Sequence, residues 1–205
     1  MRVSGWARSR GTASRRVQVC RARAYIGVSS LYPNVAAIDA AIFPREKRVI
    51  LDDADGTHGL QSWEMLTQSV PAELPIPVSN EPAVLINTSG STGQPKFIVH
   101  TQDTLAAATY LLCQHLGLSA DDVIVSPLQL AHSSGLFCSL RFVQAGVPFI
   151  MLQSADPGIV LDNIERYRGT RLLGFPYQYA GLLDAQQTKP RDVSSLRICL
   201  TGHAS

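Results

Sequence analysis

From residue 83 onward, short apolar runs alternate with longer segments of helical pattern, and this alternation limits the fold more than any other feature of the chain. The runs are four to six residues long and rich in Val, Ile, Leu or Phe: 83–87, 97–100, 123–126, 147–152, 171–175 and 196–200. The segments between them predict helices over 101–116, 133–145, 156–167 and 177–186. Strands that alternate with crossover helices indicate an α/β fold around a buried parallel sheet.

The chain before residue 83 has a different pattern, and we divide it into two segments. Residues 1–24 hold seven of the 18 basic residues and none of the 16 acidic ones, which predicts a disordered basic head. Residues 25–82 have short apolar runs interrupted by acidic residues and glycine, and they end in a proline-rich stretch that disfavours helix. We therefore expect an irregular lead-in and linker over 25–82, followed by the patterned domain over 83–205.

The charge balance of the body argues against nucleic acid as a partner. The residues after the head include eleven basic and all 16 acidic residues, so their net charge is negative. Nucleic-acid binding needs a basic surface. The longest apolar stretch, 136–152, is interrupted by Arg141, so no membrane-spanning helix is predicted.

The location of the protein depends on how the head is interpreted. Its Arg-rich, acid-free composition is that of a mitochondrial transit peptide, although its glycines make a poor amphipathic helix. The four cysteines, Cys20, Cys113, Cys138 and Cys199, lie far apart without metal-ligand spacing, which predicts reduced, mostly buried thiols. We expect a cytoplasmic protein, with the mitochondrial matrix as the alternative if the head is a transit peptide.

The segment 87–96 carries the strongest chemical signal, because it places four hydroxyls, two glycines and a lysine between two predicted strands. Glycines let backbone N–H groups approach a ligand, hydroxyls donate hydrogen bonds, and Lys96 adds a positive charge. This combination predicts a loop that binds the phosphates of a nucleotide. It is not a Walker loop, since Gly90 and Gly93 have only two residues between them and a strand follows. The alternative is a polar surface turn.

The string Thr-Ser-Gly-Ser-Thr-Gly over 88–93, followed by Pro95 and Lys96, resembles the phosphate-binding signature of the adenylate-forming superfamily. That superfamily comprises acyl- and aryl-CoA ligases, peptide-synthetase adenylation domains and luciferases. The resemblance implies that 83–205 is the partial parallel-sheet core of the large N-terminal AMP-binding domain. It also implies phosphate contacts for seven residues: Thr88, Ser89, Gly90, Ser91, Thr92, Gly93 and Lys96, of which Lys96 is also expected to be catalytic.

Two later segments extend the resemblance. Residues 127–135 are similar to the family's second core motif, in which a His or an aromatic is followed by a glycine three positions later. The resemblance implies that His132 is a catalytic residue that orients the substrate carboxylate, whereas the sequence alone leaves a helix cap or a core histidine open. Residues 195–205 are similar to the border of the adenine and acyl sites, which implies cofactor contacts for Gly202, His203 and Ala204. His203 replaces a residue that is usually small, and Phe97 replaces a usual glycine.

The strand-to-helix junction at 174–179 is also similar to the family's pattern. It places two aromatic side chains, Tyr177 and Tyr179, where they could line an acyl channel. Both could equally be core aromatics, and for Tyr179 we favour the core.

The resemblance predicts the function and also its limits. No Tyr-Gly-x-Thr-Glu motif occurs in the 205 residues, so the magnesium carboxylate of the family is not in this chain. We expect a truncated N-terminal fragment of an ATP-dependent carboxylate–CoA ligase that is inactive without the C-terminal portion of its parent. The expected ligands are ATP, magnesium, coenzyme A and a small-molecule carboxylic acid. The alternatives are a non-catalytic nucleotide-binding or interaction module and a non-functional truncated product.

Overall fold

The computed structural model describes residues 17–52, 61–73, 76, 78–87, 96–130 and 132–201. The chain divides into two compact units. The first unit comprises 1–76 together with 89–96, and the second comprises 77–88 together with 97–205. Within the described ranges, no helix is both long enough and apolar enough to cross a bilayer.

The first unit contains a parallel sheet of three short strands in the order β1-β2-β3. Its strands are β1 (Tyr25–Gly27), β2 (Arg48–Ile50) and β3 (Gln61–Ser62), and its helices are α1 (Pro33–Ala36) and α2 (Trp63–Thr67). Arg48 is buried, and its guanidinium donates hydrogen bonds to four backbone carbonyls, those of Val35, Ala36, Ile38 and Phe43. These short strands and helices lie within the segment for which we expected an irregular lead-in. Strands of two or three residues are too short for a sequence period to show them.

The second unit begins with a hairpin of β4 (Pro82–Asn87) and β5 (Phe97–Thr101). The two strands pair antiparallel, and Asn87 lies opposite Phe97. We predicted both strands for the parallel sheet, and that pairing is wrong. A parallel neighbour requires a long crossover connection, whereas only nine residues separate the paired residues Asn87 and Phe97 along the chain.

The remaining strands form the predicted parallel sheet, in the order β7-β6-β8-β9. They are β6 (Ile124–Ser126), β7 (Phe149–Met151), β8 (Arg171–Gly174) and β9 (Ile198–Thr201). The helices of this unit are α3 (Gln102–Leu116), α4 (Ser133–Ala145), α5 (Pro157–Tyr167) and α6 (Pro176–Thr188). This arrangement confirms the α/β fold and the four predicted helices.

The ends of α3 and α4 follow directly from the sequence. Gly117 and Gly146 cap the two helices with φ angles of 56° and 66°, a left-handed conformation that favours glycine. Thr101 begins α3 with a capping box, in which its hydroxyl accepts from the Thr104 N–H.

Successive residues of β6 point to opposite faces of the sheet and thereby separate two apolar cores. Ile124 packs with Cys138 and Phe142 of α4 on one face. Val125 packs on the other face with α5 and α6 side chains, including Ile164 and Leu182. Both faces of the sheet are covered, which explains why its strands are apolar without alternation.

A buried carboxylate joins the strands at the edge where β6 and β8 begin. Asp122 has no exposed surface, and its Oδ1 lies 2.9 Å from Arg171 Nε and 2.7 Å from an Arg197 terminal nitrogen. The Thr170 hydroxyl donates to the same oxygen, and the Ser119 N–H donates to Oδ2. Burial opposes ionisation of Asp122, but these hydrogen bonds outweigh it and hold the pKa of the carboxyl well below its usual range.

Arg171 extends this network to the end of α3. Its two terminal nitrogens donate to the carbonyl oxygens of Leu116 and Gly117, at 2.6 Å and 2.8 Å. The last turn of α3 is thus tied to the first residue of β8, which holds the helix in place against the sheet.

Candidate functional site

A cleft of about 600 Å³ lies in the second unit between α3, α4 and the sheet. From α3 it receives Ala108, Leu112 and Leu116, which are four residues apart and therefore share one face of the helix. The segments that follow β6 and β8, together with the last residues of β9, complete the wall. Ligands of open α/β sheets bind at the carboxyl ends of the strands, and the mouth of this cleft has that position.

His132 lies at the rim of the cleft and begins α4. Its Nδ1 accepts from the Ser134 N–H at 3.3 Å and lies 2.8 Å from the Ser134 hydroxyl oxygen. Since Nδ1 is an acceptor, the hydrogen bonding assigns the proton of the neutral ring to Nε2. The imidazole is exposed, and its edge meets the Phe175 ring with 6.3 Å between centroids. Among the described residues Nε2 has no hydrogen-bond partner, so this nitrogen can donate to a ligand.

The histidine is therefore the helix cap that the sequence left open, and capping does not use the nitrogen that chemistry would need. Its predicted role toward a carboxylate stays a prediction at this point.

Gly135 explains why a glycine follows the histidine by three residues. It is buried, and a Cβ atom built there would lie 2.1 Å from the Gln129 carbonyl oxygen. The first turn of α4 consequently packs directly on the backbone of the preceding loop. The His132 N–H donates to that same carbonyl at 3.0 Å, so the contact sets the position of the histidine.

The aromatic residues at the end of β8 have different roles. Phe175 lines the cleft and stacks on Tyr177, whose side chain is exposed and lies outside the cleft lining. The Tyr179 hydroxyl donates to the carbonyls of Leu172 and Leu200, at 2.9 Å and 2.7 Å, and so joins β8 to β9. Burial raises the pKa of Tyr179 well above its usual range. This confirms Tyr179 as a core residue.

Two further side chains on α4 line the cleft. The Cys138 thiol is buried, and burial raises its pKa while the positive charge of Arg141 opposes that effect. Arg141 is half-buried, and its Nε donates to the Phe137 carbonyl at 3.1 Å, so the side chain lies back along the helix toward its N-terminus.

Most of the predicted phosphate and adenine contacts lie outside the described residues. These are Thr88, Ser89, Gly90, Ser91, Thr92, Gly93, Gly202, His203 and Ala204. Lys96 is described and exposed, immediately before β5. Of the predicted site residues, the structure thus places His132 on the cleft, and the strands on either side of the predicted phosphate loop pair with each other.

Sequence comparison assigns this chain to a known family. Residues 9–205 match the sequence profile of the family described as AMP-binding enzyme, so the chain belongs to that family. The matched range starts well before residue 83 and includes the short sheet of the first unit.

Its relatives include CoA ligases. The chain is 32% identical to a feruloyl-CoA synthase of Amycolatopsis sp over 65% of its own length and 27% of that protein. It is 33% identical to the medium-chain fatty-acid–CoA ligase of Escherichia coli over 60% of its length and 22% of that protein. A long-chain-fatty-acid–CoA ligase from Archaeoglobus fulgidus shares the fold, with a TM-score of 0.81 and 22% identity over 96% of this chain and 39% of that structure. The match thus spans about a quarter of the length of each of these two curated relatives.

The sequence interpretation missed two groups of cleft residues. The stripe of Ala108, Leu112 and Leu116 was visible as a spacing of four within a predicted helix, but nothing local shows whether such a face meets a core or a cavity. Arg141 was noted only as an interruption of an apolar stretch. A charge at a position with apolar neighbours on both sides is the signal that could have drawn attention to it.

Proposed function

We propose that this chain supplies the phosphate loop and the acyl cleft of an ATP-dependent carboxylate–CoA ligase. The observation that carries the proposal is the cleft itself. It is predominantly apolar, lies at the carboxyl ends of parallel strands, and has at its rim an imidazole whose Nε2 is left to donate. An apolar cavity with a hydrogen-bond donor at its mouth suits an acid with an apolar body and a carboxylate head.

The proposed chemistry has two steps. A carboxylate oxygen of the acid attacks the α-phosphorus of ATP, which forms an acyl-adenylate and releases pyrophosphate. The sulfur of coenzyme A then attacks the acyl carbonyl carbon, which forms a thioester and releases AMP. The names of the relatives support this reaction class, because a feruloyl-CoA synthase and a fatty-acid–CoA ligase both join an acid to coenzyme A.

Each group of candidate residues has its own proposed role. His132 donates from Nε2 to one carboxylate oxygen, which leaves the other oxygen to attack. Lys96 places an ammonium beside the polyphosphate, and the hydroxyls and backbone of 88–93 contact its oxygens. Phe175 holds the imidazole from the side through its ring contact. Gly202, His203 and Ala204 border the acyl and adenine groups.

The 205 residues alone are proposed to bind without turning over. The family resemblance implies magnesium, and among the described residues no group of three or more His, Cys, Asp or Glu side chains could hold a metal ion. The loss of a single preorganised donor typically costs a hundredfold or more in rate. The family resemblance implies a magnesium carboxylate in a Tyr-Gly-x-Thr-Glu motif. That motif does not occur in the 205 residues.

Calorimetric titration of the 205-residue protein with ATP tests the phosphate role. We expect measurable binding that Lys96→Ala weakens about tenfold, since a charge-assisted hydrogen bond is worth roughly 1.5–3 kcal/mol. Lys189→Ala is the matched control, because Lys189 is an exposed lysine at the end of α6. Equal affinity in all three proteins would overturn the phosphate role of Lys96.

The alternatives give different results in a parallel assay of pyrophosphate release with a panel of fatty and aromatic acids. Ligase-like turnover would refute the proposed inactivity of the isolated chain. ATP binding that no acid influences would favour a nucleotide-binding module. Complete absence of ATP binding would favour the remaining alternative, a truncated gene product without a function of its own.

A further inference from the structure

The cleft contains a positive charge that the proposed reaction does not use. Arg141 lines the same cavity as His132, and its guanidinium is close enough to the Cys138 thiol to affect it electrostatically. Its one hydrogen bond within the described part of the chain is from Nε to the Phe137 carbonyl. The two terminal nitrogens are left for a ligand.

Four other arginines of this unit have carboxylate partners, unlike Arg141. Ion pairs with aspartate hold Arg168, Arg171, Arg191 and Arg197, whereas no described carboxylate lies within ion-pair distance of Arg141. A half-buried charge among apolar side chains loses part of its hydration without a partner to replace it. A ligand anion would supply that partner.

The helix sets the distance between the two polar groups of the cleft. Arg141 follows His132 by nine residues on α4, and its side chain turns back by about one turn to reach Phe137. At 1.5 Å per residue and 5.4 Å per turn, the guanidinium therefore lies roughly 8 Å along the helix axis from the histidine. Because α4 follows β6 and leads to the parallel strand β7, it runs from the carboxyl edge of the sheet toward the opposite edge. Arg141 and His132 thus line the cleft at different levels along α4.

We propose that the cleft selects acids that carry a second carboxylate, which Arg141 binds farther along α4 while the reacting carboxylate meets His132. This inference rests on the proposed ligase function and specifies its substrate class as dicarboxylic acids with an apolar spacer. The guanidinium suits this role because its planar fork can donate two parallel hydrogen bonds to one carboxylate. An uncharged chain end would leave the arginine without a partner, so the site discriminates against a monocarboxylic acid of equal length.

Ligand-observed NMR titration of the 205-residue protein tests the proposal with two probes, azelaate and nonanoate. The two have the same number of carbons and differ only in the terminal group. We expect azelaate to bind at least about tenfold more tightly than nonanoate. Arg141→Met should abolish or invert that preference, and Arg141→Lys should retain part of it.

Arg166→Met is the matched control, because Arg166 is an exposed arginine on α5 outside the cleft lining. It should leave the preference unchanged, which excludes a general effect of net charge. Equal binding of the two acids, binding of neither, or a preference that survives Arg141→Met would each overturn the proposal. If Arg141→Met fails to fold by circular dichroism, the wild-type preference and its reduction in Arg141→Lys decide the outcome.

The ATP titration separates this inference from the function on which it rests. ATP binding that depends on Lys96, without a preference for azelaate, would overturn the dicarboxylate class and leave the ligase proposal intact. An Arg141-dependent preference without ATP binding would keep the anion subsite and overturn the ligase proposal.

Discussion

At the edge of the four-stranded sheet where β6 and β8 begin, the charge of Asp122 is paired, whereas the cleft has polar atoms without a partner among the described residues. Asp122 is surrounded by Arg171, Arg197 and two further donors. In the cleft, His132 keeps Nε2 and Arg141 keeps its terminal nitrogens without a described protein partner. A network in which every polar group has a hydrogen-bond partner makes a rigid support. Polar groups that lack a partner and line a cavity can bind a ligand.

The largest effect is expected at the paired edge. Asp122→Asn removes the charge that compensates buried Arg171, and breaking a buried pair in this way costs about 3–5 kcal/mol of unfolding free energy. Urea unfolding at neutral pH measures the loss. Asp192→Asn is the control, because Asp192 and its partner Arg168 are both exposed and its loss should therefore have a much smaller effect. Equal effects would contradict the contrast between the buried and the exposed ion pair.

The same variant predicts a pH dependence. The pKa of Asp122 is lowered in the folded state, so its ionisation stabilises the protein above the unfolded value of about 3.9, and this contribution is lost as pH falls toward the folded pKa. The stability difference between wild type and Asp122→Asn should be constant from about pH 5 to 8 and shrink below about pH 4. A difference that is unchanged at lower pH would show that shape, and not charge, is the contribution of Asp122.

An intermediate effect is expected where α4 meets its preceding loop. Gly135→Ala places a Cβ against the Gln129 carbonyl, and the forced shift should cost about 1–3 kcal/mol. Gly181→Ala in α6 is the control, since its added Cβ meets a Pro157 ring carbon at 3.2 Å and no backbone atom. Thermal unfolding compares the two, and a stability of Gly135→Ala equal to that of wild type would show that the loop can move away.

The smallest effect separates the two uses of His132. His132→Ala removes the helix cap and should cost about 1 kcal/mol, whereas Asn is among the best capping residues and should restore the stability. Neither variant keeps the Nε2 donor, so both should bind azelaate more weakly than wild type, by about tenfold. Full acid binding by His132→Asn would show that the histidine acts only as a cap.

Much of the second unit could be predicted because its signals are local. The helices α3 and α4 end at glycines that the sequence places beside them, and the strands of the parallel sheet coincide with apolar runs. The antiparallel pairing of β4 with β5 was not predicted, since an apolar run has the same composition in either sheet. The three-stranded sheet was missed because its strands are too short to carry a period.

The candidate site was predictable only in part. The string from Thr88 to Lys96 was enough to suggest the family, and the family assignment is confirmed. His132 was found through the motif around it. Arg141 could not be found in the same way, because its significance depends on which side chains surround it.

The amino-acid sequence by itself determined the helix boundaries, the α/β class and the family, because caps, periods and a short motif are properties of neighbouring residues. Only the tertiary structure decided which strands pair, which helix faces border a cavity, and which charges have partners. Arg171 and Arg141 are each followed by two apolar residues in the sequence. One meets Asp122 and the other does not, since residues far apart along the chain come together only when the chain folds.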